Sequence, residues 1–303
     1  MRIATSTITN MATNATSGSY GNYMDIINKI TSGKNFTSVS EDVVGATKVL
    51  KINDQLAKLN EYQSNINAAM NEMDIAYDTL NGITDELTGI NNLIVQAANA
   101  TTTPESAQAI SVEIRERVST IVSNMNAKYM DNFIFSGTNT QLETYVIDET
   151  TGEVKYQGSN KEAAARNLTI SEGKTFTYNI SGEEIFGKLD GNDFFSKMKE
   201  LDTLLNTEPL DYDAIRENIV ILEEVQDKII NTTGSISAKV SKLDATNQIN
   251  NTTITNLTEK KTDIEELDIT KAAAELSSAR NTLQASYSIS SEILQGVSLL
   301  DYL

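Results

Sequence analysis

A few short stretches carry residue types that could do chemistry. Gly173, Lys174 and Thr175 form a Gly-Lys-Thr triplet like the end of a phosphate-cradling loop, and Gly33, Lys34 and Asn35 come close to one. Such a loop needs a second glycine five residues earlier, so that successive backbone N–H groups can approach the phosphates. Leu168 and Asn28 stand at those positions, so neither triplet qualifies, and Gly173 reads as part of a β-turn. The run Asp190, Gly191, Asn192, Asp193 has the oxygen donors of a calcium loop. A loop starting at Asp190 calls for Gly at its sixth position and Glu at its twelfth, where the chain has Phe195 and Leu201. Glu183 and Glu184 are adjacent carboxylates, but adjacency in sequence does not make two carboxylates converge on a substrate. No nucleophile, base and orienting group come together as a set, so no catalytic, cofactor-binding or metal-binding residue is expected.

Composition removes further classes. The 303 residues include no Cys, His or Trp. That excludes disulfides, thiolate nucleophiles, sulfur-type zinc sites and His-based triads. A net charge of -18 repels phosphate backbones and anionic lipid surfaces, so neither nucleic acid nor membrane is an expected partner. The leader MRIATSTITNMATNATSGSY has one Arg and no apolar run of signal-peptide length, and no run long enough to span a bilayer follows. Hydrophobic residues make up 39% and aromatic ones 6%, with only 2 Pro and 15 Gly. Long helices suit that composition better than a single thick core.

Hydrophobic spacing says where the helices lie. Steps of alternating three and four residues join Val49, Ile52, Leu56, Leu59, Gln63, Ile66, Met70, Met73, Tyr77, Leu80, Thr84, Leu87, Asn91, Ile94 and Ala98. Such a stripe predicts a helix from about Asp42 to Asn99, roughly 87 Å long at 1.5 Å per residue, in a coiled-coil-like bundle. Thr103 is then an expected N-cap, with Pro104 at the first helical position and Glu105 at the positive end. The helix after it returns antiparallel through Ile110, Ile114, Val118, Ile121 and Met125. A second heptad series runs through Ile215, Leu222, Ile229, Ile236, Leu243, Asn250, Leu257 and Ile264, with Gly234 a candidate interruption.

Between the two halves the period changes. TYVIDETTGEVKYQG and NLTISEGKTFTYNI each read as two short strands around a Gly-containing turn. The expected fold is mainly α: a long antiparallel bundle built from the N- and C-terminal regions, with a small β-rich insert. The expected divisions are residues 1–40 as an N-terminal segment, 41–137 and 191–267 as the two halves of a helical rod, 138–190 as the β insert, and 268–303 as a C-terminal helix.

Particular segments resemble a known family. SGKNFTSVSEDVVGATKVL, residues 32–50, is similar to the N-terminal signature of the flagellin superfamily, with Ser40, Glu41 and Asp42 at the head of the long helix. Ser40 can cap that helix, and the acidic pair suits its dipole. Val43 departs from the Pro common at that place. NFIFSGTNT, residues 132–140, and YNISGEEIFG, residues 178–187, resemble elements of the hook-filament junction family, also called hook-associated protein 3. The ending SLLDYL resembles that of flagellin itself. This resemblance implies a non-catalytic structural subunit of the bacterial flagellum, without cofactors. It implies export through the flagellar type III apparatus with a cytoplasmic chaperone. It also implies a ring of identical copies between the first hook-associated protein and the flagellin filament.

The two chain ends are the expected assembly surface. Ile3, Ile8, Met11, Ala15, Tyr20, Met24 and Ile27 are spaced roughly helically at the N-terminus, and Ile289, Ile293, Leu294, Val297, Leu300 and Leu303 run to the last position. Burying the few large side chains of residues 288–303 does not repay the ordering of that backbone. Residues 1 to about 40 and about 270 to 303 are therefore expected to be disordered or frayed in the free monomer, with the two ends as partners in the inner wall of a tube and neighbouring subunits supplying the missing apolar surface. Other readings of the same layout are a short flagellin, a secreted coiled-coil adaptor or adhesin, and, on the insert's carboxylates, a hydrolase.

Overall fold

The computed structural model describes residues 2–99, 101–148, 151–159 and 164–300, with side chains described except at 2–5, 294 and 296–300. The helices are α1 (Arg2–Ser32), α2 (Val43–Ala97), α3 (Pro104–Met125), α4 (Gly182–Phe186), α5 (Phe194–Leu205), α6 (Tyr212–Glu217), α7 (Ile219–Glu265) and α8 (Ile269–Leu300). Among the described residues six short strands form three separate antiparallel pairs: β1 (Lys128–Tyr129) with β2 (Asn132–Phe133), β3 (Tyr145–Ile147) with β4 (Val154–Tyr156), and β5 (Asn167–Ser171) with β6 (Lys174–Thr177). The fold is mainly α with small β elements in mid-chain. The β1–β2 pair lies ahead of the expected insert, and its two-residue strands are too short to leave a periodic trace. The chain divides into two compact units, residues 1–58 with 252–303 and residues 59–251.

In the unit of residues 59–251 the seam of α2 corrects the expected stripe. Ile66, Met73, Leu80, Leu87 and Ile94 are buried, as the spacing predicts. Of their alternates Ala98 is buried as expected, but Met70, Thr84 and Asn91 are half-buried and Tyr77 is exposed, while Ala69, Ala76, Ile83 and Ile90 are buried instead. Steps of three-then-four and four-then-three both satisfy a heptad, and the bulk of Met70 and Tyr77 favours the wrong choice. Small Ala69 and Ala76 let a neighbouring backbone come closer, which side chains as large as Met70 and Tyr77 would prevent.

The turn into α3 forms as predicted, with the Thr103 side chain accepting from the Ser106 N–H. Arg117 on α3 reaches Glu86 on α2 at 2.9 Å, passing over Gly89, where a Cβ would lie 2.4 Å from the guanidinium. On α7, Leu222, Ile229, Ile236, Leu243 and Asn250 are buried. Gly234 does not interrupt that helix, since one exposed glycine costs only about 1 kcal/mol in a helix anchored on both sides.

Two of the resemblance segments meet here. Gly182 N donates to Phe135 O at 2.8 Å, and Ser136 bridges to Ser181. Gly182 is required because a Cβ would lie 2.8 Å from the Tyr145 ring. Tyr145, Tyr156, Phe186, Phe194 and Phe195 form the aromatic cluster around that contact. Asp193, the calcium-loop candidate, instead caps α5 by accepting from the Ser196 N–H at 3.0 Å. Among the described residues no group of three or more His, Cys, Asp or Glu is placed to hold a metal.

Candidate assembly surface

The other unit carries both chain ends. Residue 33 ends α1 in a left-handed conformation, φ +69°, which Gly33 adopts without strain. The chain then turns into α2, and the cap there differs from the expected one. Asp42, not Ser40, caps α2: its Oδ1 accepts from Gly45 N at 2.8 Å, and its carbonyl accepts from Ala46 N at 2.9 Å. Ser40 stands two residues too early and bonds Ser38 at 2.8 Å. Glu41 folds back to accept from Thr37 N and from the Thr37 and Ser38 hydroxyls, all at 3.0 Å. These bonds, the Thr37 amide first, hold the Glu41 carboxyl below its ordinary pKa. Gly45 leaves room for the cap, since a Cβ there would lie 2.3 Å from Asp42 Oδ2 and 3.0 Å from the Phe36 ring. Phe36 is buried with Ala46 and Val49, and Ile264 packs against them.

α1 and α8 pair antiparallel. Thr16 and Ser290 share a hydrogen bond at 2.8 Å, Ser19 and Ser286 one at 3.0 Å. Along α1 a row of half-buried positions runs Thr9, Ala12, Thr16, Ser19, Tyr23, Ile26 and Ile30, with Met24, Ile27 and Lys29 half-buried beside it, and along α8 the covered positions are Ala272, Leu276, Ala279, Leu283, Ser286, Ser290 and Ile293. Both sets step by threes and fours, the spacing of a two-helix seam. The two ends, expected as partners, are bonded to each other within the single chain. One half of that seam is apolar, and the half nearer the chain ends is lined mainly by hydroxyl groups and alanine.

Among the described residues, four of the large apolar side chains singled out in the sequence lie off this seam. Ile8 is 45% exposed, Met11 66%, Tyr20 50% and Ile289 57%. Ile293 lies in the seam, and Met24 and Ile27 are half-buried beside it. The side chains of Ile3, Leu294, Val297 and Leu300, and the whole of Leu303, lie outside the described residues. The half of the pair nearer the chain ends is thus closed mainly by small residues while Ile8, Met11, Tyr20 and Ile289 stay uncovered, the opposite of what an isolated helical hairpin favours. Charge is segregated as well: nearly all of the net -18 falls in residues 59–251, and the unit with the chain ends is close to neutral. Asn35, Phe36 and Asp42 shape this unit most. Asn35 and Phe36 were not picked out in the sequence, although both lie in the segment SGKNFT.

Residues 3–140 match the bacterial flagellin N-terminal helical region, and residues 219–303 the bacterial flagellin C-terminal helical region. No curated protein matches the sequence. Among solved structures, a flagellar hook-associated protein of Vibrio parahaemolyticus is similar with a TM-score of 0.68 at 18% identity, over 75% of this chain and 100% of its own. Bacillus cereus FlgL is similar with a TM-score of 0.57 at 23% identity, over 70% of this chain and 99% of its own. The flagellar junction protein FlgL of Legionella pneumophila has a TM-score of 0.57 at 13% identity, over 72% and 99%. At these identities the likeness is one of fold. With both flagellin helical regions in order and the fold of the hook-associated proteins, the chain belongs to the flagellin superfamily, the structural subunits of the bacterial flagellum.

Proposed function

We propose that the protein is the hook-filament junction subunit of a bacterial flagellum, a mechanical adaptor that carries out no reaction. In this reading, copies exported through the flagellar type III apparatus with a cytoplasmic chaperone form a ring. One side of the ring meets the first hook-associated protein and the other meets flagellin. The observation that supports it best is the uncovered apolar set Ile8, Met11, Tyr20 and Ile289 on a helix pair whose seam, in the half nearer the chain ends, is lined mainly by small residues. Neighbouring copies would bury that set and, in the same step, Leu294, Val297, Leu300 and Leu303 would be enclosed with Ile3 in the inner wall. The near-neutral charge of this unit removes the repulsion that would oppose close packing of identical surfaces. The acidic pair at the helix start, Glu41 and Asp42, serves the fold and does no chemistry.

Deleting residues 294–303 tests the reading. The truncated chain is expected to be soluble and folded, with cells that make hooks and shed their filaments; normal filaments on such cells would refute it. A bulk filament subunit is the second reading, favoured because both matching family models are those of flagellin. Copy number separates the two, since a junction protein is scarce and labelled only at the hook tip, whereas a filament subunit is abundant along the whole filament.

A further inference from the structure

The chain leaves the α1–α8 pair twice, once from α1 into α2 and once from α7 into α8, and these two crossings are bonded to each other. Asn35 N donates to Glu265 O at 2.8 Å. Its side-chain Nδ2 donates to Glu266 O at 2.7 Å and to Ile264 O at 3.3 Å. In return Leu267 N donates to Gly33 O at 3.0 Å, Lys34 and Glu266 form an antiparallel bridge, and Lys34 is ion-paired to Glu265.

The last carbonyls of a helix have no partner within it and need a cap from outside. At the end of α7 one residue supplies it from 229 positions away in sequence. We propose that Asn35 is a positioning residue that caps α7 from the other crossing and so joins both crossings into one clasp. A single-stranded connection swivels about its own backbone dihedrals. Two strands bonded to each other do not, because turning one breaks the bonds of the other. α1 and α8 are therefore held in a fixed orientation to the adjoining ends of α2 and α7, and Phe36 closes the clasp against Ala46, Val49 and Ile264. The consequence for a flagellum rests on the assembly reading above; the clasp itself is a property of the single chain.

The test is amide exchange on the full-length chain. Asn35→Asp keeps the size and removes the side-chain donors. It should speed exchange at Leu267 by at least tenfold and leave Ile83 and Leu87 unchanged. The chain has no cysteine, so Lys34→Cys with Glu266→Cys can form only one disulfide. In the Asn35→Asp background, oxidising that pair should return Leu267 to slow exchange, and reducing it should not. Exchange at Leu267 within twofold of wild type in Asn35→Asp, or acceleration spread equally over Ile83 and Leu87, would overturn the clasp. In cells, Asn35→Asp should reach the flagellum in normal amount and shed filaments faster under shear, with rescue by the oxidised pair. Absence of the wild-type chain from the flagellum would overturn the assembly reading alone. Unchanged shedding with accelerated exchange would overturn the orienting role of Asn35.

Discussion

Arg166 grips Glu72 through both arms of its guanidinium, Nη1 donating to Oε1 at 2.6 Å and Nη2 to Oε2 at 3.0 Å. The same guanidinium lies 4.9 Å from the centre of the Tyr178 ring, and Glu72 is buried. This contact fastens the start of β5 to α2. Burial raises the Glu72 pKa above its ordinary 4.5, and Arg166 opposes the rise only in part.

Stability should therefore depend on pH through Glu72. Its folded value lies above its unfolded one, so the folded state holds the extra proton between the two. The associated stability is present below the ordinary value and lost as pH rises through the raised one. In urea unfolding, the advantage of wild type over Glu72→Gln should shrink as pH rises from the ordinary 4.5 through the raised value; a growing advantage would contradict it. Arg166→Ala removes the counter-charge, should move the loss to higher pH, and should cost about 3 kcal/mol.

The seam of α2 can be checked by truncation. Ile83 is fully buried and its neighbour Thr84 only half-buried. Ile83→Ala should cost about 2 to 5 kcal/mol and Thr84→Ala well under about 1 kcal/mol. Equal losses in thermal unfolding would favour the stripe expected from the sequence.

The cap of α2 gives a second pair. Asp42→Ala should cost about 1 kcal/mol, and Ser40→Ala a small fraction of that. Helix content and unfolding midpoint measured on both variants decide which residue caps.

The uncovered apolar residues separate folding from assembly. Met11→Ser and Ile289→Ser, singly, should change monomer stability by no more than about 0.5 kcal/mol. Together they should abolish filament retention on the hook. A large loss of monomer stability in either single variant would show these side chains to be buried within the monomer.

Much of this fold was legible from spacing and turn chemistry. The Thr103–Pro104 start, both insert hairpins and the heptad series of α7 depend on contacts near in sequence or on strict periods, and these leave a pattern that can be read. The register of α2 did not, because Ala69 and Ala76 carry too little hydrophobicity to outvote Met70 and Tyr77. The Asn35 clasp left no pattern either, since its partners lie more than two hundred residues away and are backbone carbonyls, which any residue type supplies. The apolar chain ends were recognisable as a set. Their division into a small-residue seam and an outward face was not, because it depends on which side of α1 meets α8.

That seam has a calorimetric consequence. Heat capacity follows apolar area, and the outer half of the α1–α8 contact consists mainly of Thr9, Ala12, Thr16, Ser19, Ser286 and Ser290. Parting it changes hydration little, so its opening is thermally quiet. In the proposed assembly, burial of Met11, Tyr20 and Ile289 between copies would carry instead a large negative heat capacity of association, with a driving force that is mainly entropic near room temperature. Polymers held by such contacts gain strength on modest warming and loosen in the cold.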